Sequence, residues 1–95
     1  MKIEIFGGLI VSERDFHSQL AKALGVEKYY GHNLDALWDL LSVNVERPVN
    51  LVWLDSSISK VHLGETFERI VSVLERVRLQ DEHYGWEDKF VYVLK

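Results

Sequence analysis

The chain opens on a strict alternation. In MKIEIF, Ile3 and Ile5 point to one side and Lys2 and Glu4 to the other, the period of a strand with one buried face, and Gly7 and Gly8 end it. The period then changes. Phe16, Leu20, Ala23 and Leu24 follow helical steps, Ser12 with Asp15 resembles a capping box, and Gly25 is a natural stop, so a helix is predicted from about Glu13 to Leu24. VEKYYGH reads as a loop, and Asn33 caps a second helix through about Ser42. After the break at Pro48, NLVWLD has the continuous apolar character of a strand buried on both faces. A short helical stretch from Ser56 to Leu63 follows. Beyond Gly64, Phe67, Ile70, Val71, Leu74 and Val77 mark a longer helix. DEHYGWE reads as a polar turn, and KFVYVL as the last strand. Strands separated by helices favour a parallel sheet with right-handed crossovers. The expected architecture is therefore a small α/β domain spanning 1–95, a three-stranded parallel sheet packed with three or four helices.

Composition narrows the function. With 95 residues, 27% charged and 47% hydrophobic, the chain suits one modest hydrophobic core. It contains no cysteine, which excludes disulfides and thiolate zinc sites and is compatible with a reducing compartment. The start lacks the apolar run of a signal peptide, and no stretch is long enough to span a bilayer. A net charge of −4 argues against binding nucleic acid through its phosphates and suits a basic protein partner instead.

The stretch YYGHNLDALWDLL, Tyr29 to Leu41, poses a problem of charge. On a helical wheel Leu34, Leu37 and Leu41 form the core stripe, while Asp35 and Asp39 fall together on the far side with Trp38 on the flank. Like charges at this spacing destabilise a helix by roughly 0.2–0.5 kcal/mol. Among sequence neighbours only His32 offers a partial positive charge. Asp35 gains from the helix N-terminus, whereas Asp39 lies beyond the first turn. Two readings stand. One is a solvated helix face with a packing tryptophan. The other is a binding face, in which aromatic groups beside unpaired carboxylates await a cationic partner.

The same stretch resembles the signature of the barstar family, intracellular inhibitors of a secreted ribonuclease. Tyr-Tyr-Gly, one variable residue (here His32) and Asn-Leu-Asp-Ala-Leu-Trp-Asp are all present. DFHSQLAKAL, VERPVNLVW, the long helix and the final strand extend the similarity along the chain. The resemblance implies the barstar-like α/β fold and a non-enzymatic protein that plugs a nuclease active site, with no cofactor. It carries over Tyr29, Asn33, Asp35, Trp38 and Asp39 as partner-binding residues, together with Tyr30 and Gly31 of the motif. Asp39 would stand where an RNA phosphate sits. At two further contact positions this chain departs from the family: Asn44 replaces a tryptophan, and Arg76 stands where the family has a glutamate, with Glu75 beside it. The implied partner is a basic, secreted ribonuclease, and the implied protein is a cytoplasmic monomer when free, binding neither nucleic acid nor membrane. The alternative on the same scaffold is an immunity or binding protein against a different basic toxin.

Other constellations are weaker. His32, Asp35 and Asp39 share a helix face but lack the fixed ligands and supporting shell of a metal site. His17, His62 and His83 have no readable nucleophile partner, and no Gly-x-Ser-x-Gly elbow is present. Asp35 and Asp39 share one environment, unlike the differentiated carboxylates of a glycosidase. Trp53 and Trp86 read as packing residues. Glu68, Arg69, Glu75, Arg76 and Arg78 read as the solvated face of the long helix.

Overall fold

A computed structural model describes Met1–Lys95. The elements follow the expected order: β1 (Lys2–Phe6), a 3-10 turn (Gly7–Leu9), α1 (Glu13–Leu24), α2 (Leu34–Val43), β2 (Val49–Leu54), α3 (Ser56–Leu63), α4 (Glu65–Tyr84) and β3 (Phe90–Leu94). The sheet is parallel throughout, with strand order β1-β2-β3 and a register that aligns Ile5 with Trp53 and Trp53 with Leu94. Strands laid down in sequence order by right-handed crossovers place every connecting helix on one face. Burial agrees. Ile3, Ile5, Leu51, Trp53 and Phe90 are inside, while Lys2, Glu4, Phe6 and Asn50 face outward.

Local chemistry sets the ends. The Asp15 carboxylate accepts the N–H groups of Val11 and Ser12, which otherwise have no partner at the start of α1. Gly25 closes that helix at φ 69°, a left-handed conformation that costs glycine little. Asn33 Oδ1 accepts the Ala36 N–H at 2.8 Å and starts α2. At the centre of the core, Trp53 lies between Phe16 and Phe67, with ring centroids 4.8 and 5.0 Å away. Its indole N–H donates to Ser59 Oγ, which donates in turn to the Gly7 carbonyl, so the buried polar atoms are satisfied. On the free side of β1, the Gln19 carboxamide accepts the Phe6 N–H at 2.7 Å and donates to the Phe6 carbonyl at 3.1 Å.

Two sequence expectations need correction. Asp81–Tyr84 is not a turn but the last turn of α4, closed by Gly85 at φ 67°. The reason is Asp81, which is fully buried and bound by Arg47 from the segment before β2 and by the Phe90 N–H at the start of β3. The outer side of α4 is also not simply solvated. Arg78 bridges Glu75 and Glu82, and the Tyr92 hydroxyl donates to Glu75, tying α4 to β3. Arg78 foremost, with Tyr92, holds the Glu75 carboxyl down at about 2. Trp53 is core as expected, whereas Trp86 is half exposed, stacked on Tyr84 with the Arg47 guanidinium 5.6 Å from its ring.

Candidate partner-binding site

The segment between α1 and α2 is built from the backbone outward. The Tyr29 and Tyr30 N–H groups both donate to the Val26 carbonyl, turning the chain back on itself. The turn sends the two tyrosines in opposite directions: Tyr29 is 73% exposed, and Tyr30 is buried. Gly31 follows, packed so closely that a Cβ there would lie 3.1 Å from Ala36 Cβ. His32 adopts φ 56° and donates from Nδ1 to the Tyr30 carbonyl, because a carbonyl can only accept. Asn33 then caps α2.

Along α2 the expected division of faces is present. Leu37, Leu40 and Leu41 are buried, Trp38 is half buried, and Asp35 and Asp39 are exposed. Neither aspartate takes part in an ion pair. The fold does bring a cation to this face that local sequence hides. Arg76, from α4, lays its guanidinium 4.5 Å from the centroid of the Trp38 ring, a cation–π contact. It has no carboxylate within ion-pair distance. Glu75 points elsewhere, to Arg78 and Tyr92, so residue 76 and not residue 75 shares the surface with α2.

These residues line two depressions on either side of α2. Tyr29, Tyr30, Gly31, Asp39 and Asn44 border one. Asp35, Trp38, Arg69 and Arg76 border the other, in the groove between α2 and α4. Asn44 is exposed and donates from Nδ2 to the Asp39 carbonyl, capping the C-terminal end of α2. Asn33 contributes structure through its cap, and Tyr30 faces inward, so its side chain supports the surface rather than forming it. Beneath the loop, His17 holds the Tyr30 hydroxyl through Nδ1 and is itself held by Glu13 through Nε2. Their i,i+4 spacing was visible in sequence, but nothing there placed Tyr30 against them. At the far end of α2, Arg47 and Gln80 both donate to the Ser42 carbonyl, an anchor that local sequence could not reveal.

The family model described as Barstar (barnase inhibitor) matches residues 1–94. The chain belongs to the barstar family. It is also 35% identical over 82 residues to a Bacillus subtilis (strain 168) protein named "Putative ribonuclease inhibitor YrdF", an alignment covering 78% of this chain and 90% of that relative. In this barstar-family chain, the motif Tyr29–Leu41 is one continuous unit of loop, cap and helix. Its acidic and aromatic side chains, Tyr30 apart, lie at the surface, and its leucines lie beneath.

Proposed function

We propose that this protein is a ribonuclease inhibitor that binds its target through α2 and the loop before it and catalyses no reaction. The observation that carries the reading is the pair Asp35 and Asp39, exposed and unpaired beside Trp38 and Tyr29, in a barstar-family chain. In the free protein these carboxylates are solvated, and their mutual repulsion costs only tenths of a kcal/mol. Against a cleft that binds RNA phosphates, each finds cations, and Asp39 takes the place of a phosphate. Tyr29 and Trp38 supply apolar contact around the charges. The one carboxylate–imidazole–hydroxyl chain in the molecule, Glu13–His17–Tyr30, ends on a buried phenol, which supports binding rather than catalysis. The test is a titration of the protein into an RNA-cleavage assay with barnase and with ribonucleases secreted by the source organism. Stoichiometric loss of cleavage is expected, and undiminished cleavage by all of them would refute the proposal.

An acidic face meeting a basic cleft also predicts kinetics. Association should slow steeply as salt rises, since the Debye length falls from about 30 Å at 0.01 M to about 10 Å at 0.1 M. Stopped-flow mixing across ionic strength measures this, and a flat profile would point to an apolar interface centred on Trp38.

Arg76 refines the partner. A guanidinium held on Trp38 beside the acidic helix would be repelled by a uniformly basic rim, so the partner carries an acidic group opposite α4. Arg76→Glu should then weaken binding and slow association. Tighter binding by that variant would indicate a uniformly basic surface, as would suit a partner not adapted to this chain.

A further inference from the structure

Under the Tyr29–Asn33 loop runs a chain of hydrogen bonds that the binding reading leaves unused. Glu13 and His17 sit one turn apart on α1, and the His17 ring is completely buried. His17 Nε2 is 2.9 Å from the Glu13 carboxylate, and Nδ1 is 2.6 Å from the Tyr30 hydroxyl. A carboxylate only accepts, so in the neutral ring the proton is on Nε2 and Nδ1 accepts from the phenol. The Tyr30 ring in turn lies 5.2 Å from that of His32, which itself is bonded to the Tyr30 backbone and lies 6.3 Å from His17. The groups facing His17 are therefore Glu13 from its own helix and Tyr30 and His32 from the loop, with Arg14 beside His32 at the surface.

We propose that Glu13, His17 and Tyr30 form an acid-sensitive latch, which orders the Tyr29–Asn33 loop at neutral pH and releases it when His17 takes up a proton. Once a proton from solvent adds to Nδ1, both ring nitrogens donate. The Tyr30 oxygen must then turn to accept, and its own hydrogen is left inside the protein with its only acceptor gone. The imidazolium gains attraction from Glu13, but that carboxylate is 37% exposed and screened by water. Burial dominates and pushes the His17 ring below the ordinary value of 6.5, with Glu13 opposing and His32 reinforcing. Any state with the loop open takes up the proton more readily than the closed one. The latch is thus whole above the ordinary histidine value and weakens as pH falls below it. Its consequence, acid release of a docked ribonuclease, rests on the function proposed above, whereas the latch itself does not.

The experiment uses the free protein. Amide hydrogen exchange and imidazole NMR signals are followed from about pH 8 to about pH 5. After correction for the intrinsic pH dependence of exchange, the amides of Tyr29 and Tyr30, both bonded to the Val26 carbonyl, should lose protection as the His17 ring titrates, while those of Val73 and Val77 in α4 do not. Tyr30→Phe should speed loop exchange about fivefold already at neutral pH, the equivalent of one lost hydrogen bond. Glu13→Gln keeps a hydrogen-bonding group but removes the charge, and should shift the midpoint to lower pH. Loop protection that is flat through the His17 titration in the unmodified protein would overturn the latch. So would Tyr30→Phe with unchanged exchange, or Glu13→Gln with an unmoved midpoint. An acid step in the free loop without any effect on ribonuclease affinity would uphold the latch and refute the loop's part in docking.

Discussion

Asp39→Ala should weaken binding to the ribonuclease by about 2–5 kcal/mol or more, the general cost of truncating one member of a buried interfacial charge pair, a scale that barnase–barstar pairs themselves helped to set. Asp39 is exposed in the free protein, but a phosphate-like position would bury it among cations, and those cations would then be left unpaired. The effect should appear mainly in the dissociation rate, because the remaining acidic groups still steer the encounter. Folding should be untouched. The side chain makes no ion pair in the free protein, and its removal relieves Asp35 of a like-charged neighbour, a gain of roughly 0.2–0.5 kcal/mol. Calorimetric titration of the ribonuclease with both proteins, alongside their urea unfolding curves, checks both halves. Equal affinities would remove Asp39 from the centre of the interface.

The opposite behaviour is expected of Asp81. Its carboxylate is fully buried and accepts from Arg47 Nε at 2.9 Å, Arg47 Nη2 at 3.0 Å and the Phe90 N–H at 2.7 Å. Asp81→Ala strands a guanidinium whose side chain is only 10% exposed, and frees the junctions of α4 with β3 and of α2 with β2. Breaking a buried pair from one side costs about 3–5 kcal/mol, a large part of the roughly 5–15 kcal/mol that holds a domain folded. The pH dependence carries the same signature. Burial alone would raise this carboxyl, but the Arg47 and Phe90 hydrogen bonds outweigh it and hold the group below its ordinary 3.8. Because the folded form binds the proton less readily than the unfolded chain, the stabilisation is complete above the ordinary value and is lost as pH falls through the lower folded one. Urea midpoints of the two proteins should lie far apart at neutral pH and converge in acid. A constant gap would mean that packing, and not the ion pair, is what Asp81 supplies.

The two residues also mark what the sequence could and could not reveal. Period-two alternation in MKIEIF, the Asn33 cap and the Gly25 stop are local rules, and the strands and helices they predict are present. Asp35 and Asp39 were legible for the same reason, since a helical wheel needs only neighbours. Asp81 was not. An aspartate before Glu-His-Tyr-Gly has turn chemistry, and only a partner 34 residues earlier makes it a core residue. Arg76, which the family resemblance set at a contact position, read from its own helix as solvated until the packing of α4 against α2 laid it on Trp38. Glu75 and Arg78, one face away, carry the same residue types and do a different job. Side-chain chemistry was readable, but the pairings across elements depend on how the helices rotate against one another.

The carboxamide of Gln19 has a consequence for life in a crowded solution. A sheet laid down as β1-β2-β3 has two open margins, and each is a template on which a foreign strand can add. At Phe6, the exposed end of the first margin, both backbone groups are already occupied by one side chain that imitates a neighbouring peptide. A second chain approaching there must first evict Gln19 and leave its amide unsatisfied, so the growth of aggregates from this margin is discouraged by a single residue of α1.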